Sequence, residues 1–296
     1  MTRLILHGED ALERCLSAVA RDAAATAFFC DIDGTISPIV ADPYAAVVPD
    51  EFRAALVKLA PRLGLLAFVT GRDVCQGRDL VRVPGATYVG THGLETLTPN
   101  GAAHADPAAE PYVDDVQAMV CRAEALDAKR LGLVLENKRT VLAVHYRLAP
   151  DEQATRAVLE SEIVTPAREL GLLISTGHFL VEVRPPVVAT KGTATLALLA
   201  GGDYRTALFL GDDLTDCTGF AALREWAKAG DAQASPAGDA QASPGGGAPA
   251  APARLSCAIA AITDETPQKV VDESDVRVAA TPGVYAVLTR LVAAIR

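Results

Sequence analysis

Residues 27–35 of the chain read AFFCDIDGT. A short apolar run that ends in a carboxylate is typical of a buried parallel strand, which presents the residue after it at the carboxyl edge of the sheet. Asp31 and Asp33 are two positions apart, so both side chains can point into one cleft. Gly34 permits a tight turn that would bring backbone N–H groups toward an anion. An Asx turn that caps a loop is the alternative explanation.

The same pattern recurs immediately afterwards. Residues 9–23 and 49–63 have helical spacing of apolar positions, and a second apolar run over 65–69 ends in Thr70-Gly71-Arg72. Helices that alternate with buried strands predict right-handed crossovers and a parallel sheet covered on both faces. The sequence therefore predicts an α/β fold.

Residues 104–186 have a different pattern. One helix and two strands, repeated twice, predict a compact α+β unit inserted into the first domain. The predicted elements are a helix over 111–129, strands over 132–137 and 140–146, a helix over 151–170, and a hairpin of 172–175 with 179–183 turned at Thr176-Gly177.

After the insert the parallel pattern resumes. A helix is predicted over 191–200, and a buried strand over 207–210 ends at Gly211-Asp212-Asp213. The expected organisation is a core of residues 1–103 and 187–296, with an insert of residues 104–186.

A biased segment interrupts the second part of the core. GDAQASP occurs twice, from Gly230 and from Gly238, and GGGAPAAPA follows. This composition cannot bury enough apolar surface to offset its ordering entropy, so we predict a disordered loop at about 230–254. A flexible linker to another domain is the alternative. Two short strands and a last amphipathic helix, over 258–262, 276–279 and 282–295, are predicted to complete the core.

Composition limits the classes of partner. The formal net charge is −10, from 37 acidic and 27 basic residues, so nothing predicts binding to nucleic acid or to an anionic membrane. The six cysteines are scattered without a CxxC pair, which predicts neither a zinc site nor a disulfide framework. No signal peptide or membrane span is predicted, and a reducing cytoplasm is the expected location.

Three further segments carry polar side chains that could act together with Asp31. Thr70 offers a hydroxyl, and Lys191, at the start of a predicted helix, offers a fixed positive charge. Asp212 and Asp216 lie in GDDLTD, after a buried strand, and clustered carboxylates are the ligands that Mg²⁺ prefers. A lone lysine at a helix start is usually just solvated, and so is an acidic turn, so each feature alone is weak.

In this order, the segments resemble the four motifs of the haloacid dehalogenase (HAD) superfamily, whose fold is a parallel-sheet core with an inserted cap. The resemblance implies that Asp31 is a nucleophile that becomes an aspartyl phosphate and that Asp33 is the general acid and then the base. It implies that Thr70 and Lys191 steady the phosphoryl group. An acid at position 33 favours phosphate chemistry over dehalogenation. The implied ligands of Mg²⁺ are Asp31, the backbone carbonyl of Asp33, Asp212 and Asp216.

Six segments are similar to motifs of trehalose-6-phosphate phosphatases, in the same order: FFCDIDGTISPIV, VTGRD, GTHGLE, ENK with HYR, VEVRPPVVATKG and FLGDDLTD. The resemblance implies a type 2 cap, trehalose 6-phosphate as the small-molecule substrate, a place at the last step of trehalose biosynthesis, and a trehalose-phosphate synthase as a partner. The implied substrate-binding residues are Glu136, Lys138, Arg147 and Glu182 in the insert and Arg72 and His92 around the cleft, with Glu95 and His145 as weaker candidates.

Alternatives remain open at this point. Glu136 and Lys138 could form a simple ion pair, and His92 and His145 could be ordinary hydrogen-bonded histidines. Related enzymes act on sucrose phosphate or on glycosyl phosphoglycerates, or are phosphosugar mutases. A silent sugar-phosphate-binding or synthase-docking domain is the alternative from another class. The metal loop also departs from the family, because Cys217 and Thr218 stand where acids are usual, so we expect weaker or rearranged support of the metal.

Overall fold

The computed structural model describes residues 4–40, 45–177, 179–234 and 253–295. The chain forms two compact units. The first consists of Met1–Gly93, Leu97–Ala102 and Thr190–Arg296, and the second of Leu94–Thr96 and Ala103–Ala189. Most of the loop predicted at 230–254 lies outside the described residues. Its beginning, up to Ala234, is the end of a helix and not part of a loop.

The elements alternate as expected along the first part of the chain. They are β1 (Ile5–His7), α1 (Glu9–Arg21), β2 (Thr26–Cys30), α2 (Asp50–Leu59), β3 (Leu65–Val69), α3 (Val74–Val81), β4 (Thr87–Gly90), β5 (Glu95–Leu97) and β6 (Ala103–Ala105). The insert adds α4 (Val113–Glu124), α5 (Ala128–Leu131), β7 (Val134–Asn137), β8 (Leu142–His145), α6 (Glu152–Leu159), α7 (Thr165–Glu169), β9 (Leu173–Gly177) and β10 (Leu180–Arg184).

The remaining elements are α8 (Lys191–Ala200), β11 (Thr206–Gly211), α9 (Asp216–Ala234), β12 (Leu255–Ile262), α10 (Gln268–Asp272), β13 (Val276–Ala279) and α11 (Ala280–Ala294). None of the helices in the described ranges has the length and apolar character needed to cross a membrane.

The first unit is built on a parallel sheet. Its strands run in the order β1-β13-β12-β11-β2-β3-β4. β1 is antiparallel to β13, and the neighbouring pairs from β13 to β4 are parallel. The predicted α/β class with a parallel-sheet core is therefore confirmed.

The strands of this sheet are apolar on both faces because helices cover both. In β2, Phe28 packs into one apolar cluster with Leu56 of α2, and the next residue, Phe29, packs into a second cluster with Phe209 and Phe220. A strand buried on both faces reads as a continuous apolar run, which explains the pattern before Asp31. The site described below therefore lies at the end of a strand that is packed on both faces.

The second unit is an antiparallel sheet in the order β7-β8-β10-β9, with helices on one face. Leu142 and Val144 of β8 pack into the core under those helices. The residues between them point to the other face, where Ala143 lies opposite both Glu136 of β7 and Glu182 of β10. The two glutamates therefore flank a small side chain on one row of the sheet.

Two local predictions in the insert are wrong. The helix predicted over 111–129 is broken, because Asp127 caps α5 by accepting a hydrogen bond from the Arg130 N–H. The hairpin does not turn at Thr176-Gly177, because both residues belong to β9 and Thr176 pairs with Val181. The turn comes two residues later, where Phe179 has a φ of 59°. The helix predicted over 151–170 is observed as α6 and α7, joined by the π-helical turn Glu160–Val164.

Phe220 tests the packing beneath the candidate site. Its side chain is fully buried, with ring centroids 5.7 Å from Phe209 in an edge-to-face contact. We expect Phe220→Ala to lower the free energy of unfolding in urea by about 3–5 kcal/mol, because it leaves a cavity between α9 and the sheet. Val57→Ala, on the exposed side of α2, is the control and should change it by less than about 1 kcal/mol. Equal losses for the two variants would contradict this packing.

Candidate active site

The predicted site residues of the core follow adjacent strands. β11, β2 and β3 are neighbours and parallel, so the residues at their carboxyl ends share one edge of the sheet. Asp31 follows β2, and its N–H donates to the Leu210 carbonyl of β11 over 2.8 Å. Thr70 follows β3, and Asp212 follows β11. The parallel register alone therefore gathers a hydroxyl and two carboxylates at this edge.

Lys191 lies between two of the carboxylates. Its side chain is 2% exposed, and Nζ is 2.8 Å from Oδ1 of Asp31 and 2.7 Å from Oδ1 of Asp216. Burial raises the pKa of Asp31 well above its usual range and also raises that of Asp216. Burial alone would lower the pKa of Lys191, but the two carboxylates hold it above its ordinary value. One buried ammonium thus serves two buried acids.

The loop after β11 is organised around Asp216. Oδ1 of Asp216 faces Lys191, and Oδ2 accepts hydrogen bonds from the backbone N–H groups of Asp212 (3.0 Å) and Asp213 (3.1 Å). Asp212 in turn accepts a hydrogen bond of 2.7 Å from the hydroxyl of Thr35, and burial raises its pKa to about 6. The loop therefore presents the Asp212 carboxylate beside the end of β2.

The residues present fit a divalent cation. Asp31, Asp212 and Asp216 each offer a carboxylate oxygen, and these oxygens lie within 4.8 Å of one another. Three carboxylates share the single ammonium of Lys191, so the cluster carries excess negative charge in a buried position. Hard cations such as Mg²⁺ take carboxylate oxygens as ligands and supply the missing positive charge.

Glycine is required at position 34 for two reasons, its backbone conformation and its close approach to the Asp212 side chain. Its φ is +85°, and a Cβ at this position would overlap the Asp212 carboxylate. Its N–H donates to the Ser37 carbonyl over 2.8 Å, so this N–H is used within the turn. The motif glycine thus makes room for the Asp212 carboxylate, which the sequence alone did not indicate.

Asp33 has a different partner from Asp31. The Arg72 guanidinium donates from Nε and Nη2 to its two carboxylate oxygens, each over 2.6 Å. The backbone N–H of Arg72 donates to the Thr70 hydroxyl over 3.1 Å, which leaves the hydroxyl proton of Thr70 for another acceptor. His92 has a φ of 57°, and its ring lies against Gly71. Arg72 was predicted to bind substrate, and the structure places it on the predicted general acid.

The predicted substrate-binding residues of the insert lie on or next to the strands of its antiparallel sheet. Glu136 lies 3.4 Å from Nζ of Lys138 and 3.7 Å from Nε2 of His145, measured from its two carboxylate oxygens. Glu182 is on the same sheet face, across Ala143. Arg147 is exposed, with its guanidinium 5.8 Å from the ring centroid of Phe179. Glu95 is buried in β5. The ion pair of Glu136 with Lys138, which was the alternative to substrate binding, is present, and His145 lies beside it.

Sequence interpretation missed two residues that support the site. Thr35 was read only as part of the motif, although its hydroxyl orients Asp212. Thr190 caps α8 directly before Lys191: its hydroxyl accepts from the N–H of Thr193, and the Thr193 hydroxyl accepts from the N–H of Thr190. A Thr-x-x-Thr pattern before an apolar helix is a capping signal that could have been noticed.

The chain is similar in sequence to known proteins. The trehalose-phosphatase family model matches residues 29–244. An uncharacterized glycosyl hydrolase of Mycobacterium tuberculosis is 35% identical over 207 residues, which are 67% of this chain and 15% of that protein. A trehalose-phosphate phosphatase of the same species is 34% identical over 212 residues, 70% of this chain and 54% of that protein. The chain therefore spans about half or less of the length of these two relatives.

Two further comparisons cover more of the matched proteins. A probable trehalose-phosphate phosphatase of Sinorhizobium fredii is 36% identical over 220 residues, 73% of this chain and 80% of that protein. The solved structure of the C-terminal domain of a Candida albicans trehalose-6-phosphate phosphatase has a TM-score of 0.59 and 21% identity, and the match covers 99% of this chain and 98% of that one. The second similarity shows that the fold is shared.

Gly34 and Gly85 form a matched pair for testing the metal site. Both have positive φ, +85° and +77°, but a Cβ on Gly85 meets no atom within 4 Å. Alanine at either position costs about 1–2 kcal/mol of backbone strain. Only Gly34→Ala should displace Asp212, and we expect it to weaken Mg²⁺ binding in calorimetry about 10–100-fold. Equal Mg²⁺ affinity in the two variants would contradict the role of Gly34.

Lys191→Met leaves Asp31 and Asp216 buried without a counter-charge. Removing one partner of a buried ion pair costs about 3–5 kcal/mol, so the free energy of unfolding in urea, at pH 7.5 with chelator, should fall by about that amount. The loss should shrink toward pH 5, because the variant's carboxylates have still higher pKa values and bind protons there. The exposed Lys58→Met is the control. A deficit that does not change between pH 5 and 7.5 would contradict the charged arrangement.

Proposed function

The chain belongs to the trehalose-phosphatase family, and from this premise we propose that it is a Mg²⁺-dependent phosphatase that hydrolyses trehalose 6-phosphate to trehalose and phosphate. The observation that supports the proposal most strongly is the position of Asp31. This carboxylate is buried, paired with Lys191 at 2.8 Å, and grouped with Asp212 and Asp216. A nucleophile fixed beside groups that neutralise phosphoryl charge is what phosphoryl transfer requires.

The first chemical step forms a phosphoaspartate. An oxygen of the Asp31 carboxylate attacks phosphorus, the bond from phosphorus to the sugar oxygen breaks, and that oxygen takes a proton from Asp33. Arg72 holds both oxygens of Asp33 in its carboxylate form, so Asp33 has to leave this pair and bind a proton before it can serve as the acid. Splitting the displacement in this way makes each half easier than direct attack by water.

The second step restores the enzyme. Asp33, now a carboxylate, takes a proton from a water molecule as the water oxygen attacks the phosphorus of the phosphoaspartate. The bond from phosphorus to the Asp31 oxygen breaks, and inorganic phosphate leaves. Asp33 is thereby protonated again for the next turnover, so the two steps balance.

The phosphoryl oxygens are steadied by this chain's own donors. The Lys191 ammonium and the Thr70 hydroxyl proton are the groups that we assign to them. Asp31, Asp212 and Asp216, with the backbone carbonyl of Asp33, would hold Mg²⁺. The ion supplies positive charge to the phosphoryl group and offsets the excess of carboxylates.

The insert provides the groups for the sugar. Glu136 and Glu182 share one sheet face and are separated by the small Ala143, and Lys138 is paired with Glu136. Carboxylates and an ammonium held in this way suit the hydroxyl groups of a glucosyl unit. Arg147, Arg72 and His92 are further proposed contacts. A synthase partner and a cytoplasmic location stay predictions.

The decisive experiment measures phosphate release with Mg²⁺ from trehalose 6-phosphate, sucrose 6-phosphate and glucose 6-phosphate. We expect a preference for trehalose 6-phosphate of at least about 100-fold in kcat/KM, because the polar groups of the insert go unpaired with other sugars. Chelator and Asp31→Asn should each abolish release, whereas the exposed Asp114→Asn should not change it. Glu182→Gln should lower kcat/KM for trehalose 6-phosphate by an amount equivalent to a loss of about 1–3 kcal/mol of transition-state stabilisation.

Two other outcomes would change the proposal. Release from a different ester, still abolished by Asp31→Asn, would keep the phosphatase chemistry and remove the assignment of the insert to trehalose 6-phosphate. No release from any of the esters by the folded protein would leave a sugar-phosphate-binding domain.

A further inference from the structure

The first turn of α8 carries Lys191, so its position depends on how that helix begins. The first N–H groups of a helix have no partner within it and need one elsewhere. Thr190 accepts the hydrogen bond from Thr193 within the turn, over 3.1 Å. The Gly192 N–H has a partner from another helix, because it donates to the Thr218 hydroxyl over 3.0 Å.

Thr218 uses its hydroxyl in both directions. The oxygen accepts from Gly192, and the hydroxyl donates to the Thr215 carbonyl over 2.7 Å. Thr215 directly precedes Asp216, which is bonded to Lys191 at 2.7 Å. One hydroxyl therefore connects the residue after Lys191 with the residue before Asp216.

The two helices also approach closely at this point. A Cβ on Gly192 would overlap the Thr218 backbone carbonyl, so only glycine fits between α8 and α9 here. Cys217, the other unusual residue of the loop, is buried in the apolar cluster beneath. Thr218 thus makes a specific contact between the two helices.

We propose that Thr218 is a positioning residue that sets the Lys191 ammonium between Asp31 and Asp216, by tying the start of α8 to the metal loop. The proposal rests on the proposed function and deepens it. A valine methyl in place of the hydroxyl removes the acceptor of the Gly192 N–H and leaves the Thr215 carbonyl with the weaker hydrogen bond from the Thr218 backbone N–H, over 3.2 Å. The distance between α8 and the loop is then free to change. Small displacements of a catalytic group have large effects on rate.

The test compares Thr218→Val with Thr218→Ser, which keeps the hydroxyl. For Thr218→Val we expect kcat to fall at least about tenfold, on trehalose 6-phosphate and on p-nitrophenyl phosphate alike, with KM for the sugar ester little changed. Thr218→Ser should restore kcat to within about threefold. Gly192→Ala, which forces the same junction apart from the other side, should reproduce the loss.

Thr155→Val in the insert controls for folded stability. Like Thr218→Val, it removes a threonine hydroxyl. The hydroxyl of Thr155 is buried and donates a hydrogen bond to the Leu131 carbonyl. We expect it to lower Tm about as much as Thr218→Val while leaving kcat unchanged. Thr218 is half-buried, so valine is expected to be tolerated in the fold.

Magnesium titration by calorimetry adds a readout that does not need turnover. The Thr218 hydroxyl donates to the carbonyl of Thr215, the residue before Asp216. Thr218→Val should therefore weaken Mg²⁺ binding at least about threefold, and Thr218→Ser should not weaken it. Wild-type kcat and Mg²⁺ affinity in Thr218→Val, or equal losses in the valine and serine variants, would overturn the proposal. A wild-type protein that hydrolyses no ester would overturn the proposed function alone, and the Mg²⁺ titrations would still decide the role of Thr218.

Discussion

The contact of Lys191 with Asp31 and Asp216 is the interaction on which the rest of the core unit depends. Two fully buried carboxylates would be very costly without a counter-charge, and burial already raises the pKa of each. The ammonium therefore has to stand at one place, between both acids. The start of α8 and the turn after β11 are arranged to meet that requirement.

The apolar layers of the sheet make this arrangement possible. A cluster of buried charges contributes little net stability, so the free energy that holds it must come from elsewhere. β2 and β11 supply it by placing aromatic side chains on both faces, with Phe28 on one and the stacked pair of Phe29 and Phe209 on the other. The strands that carry the reactive residues are thereby among the most rigid parts of the core.

Sequence patterns predicted the parallel core and its main charged residues because parallel strands end at one edge, so residues after β2, β3 and β11 had to meet. Asp31, Thr70 and Asp212 follow from that rule, and the proposed cation site follows from the clustered acids. The partner of Arg72 does not follow from it, since that contact depends on how two loops from different strands lie together. The hydrogen bonds of Thr35 and Thr218 do not follow from it either, because a hydroxyl finds its partner through its rotamer and the packing around it.

Boundaries in the insert failed for local reasons. A side-chain cap at Asp127 ends one helix inside a run with helical composition, and strand pairing at Thr176 outweighs the turn preference of Gly177. Both boundaries are decided by local hydrogen bonds, which the pattern of apolar residues does not indicate. The predicted loop at 230–254 fell mainly outside the described residues, and only the start of it, where α9 continues to Ala234, could be compared.

The wide separation of Asp31 and Lys191 along the chain has a consequence for biosynthesis. More than half of the polypeptide lies between them, including the whole insert. Asp31 therefore leaves the ribosome long before its counter-charge exists, and the emerging fragment carries acids that it cannot yet bury. Such late contacts close slowly and keep the nascent sheet edge open. Chains that are truncated before Lys191 would leave Asp31 without its counter-charge and would consequently be targets of chaperones and proteases.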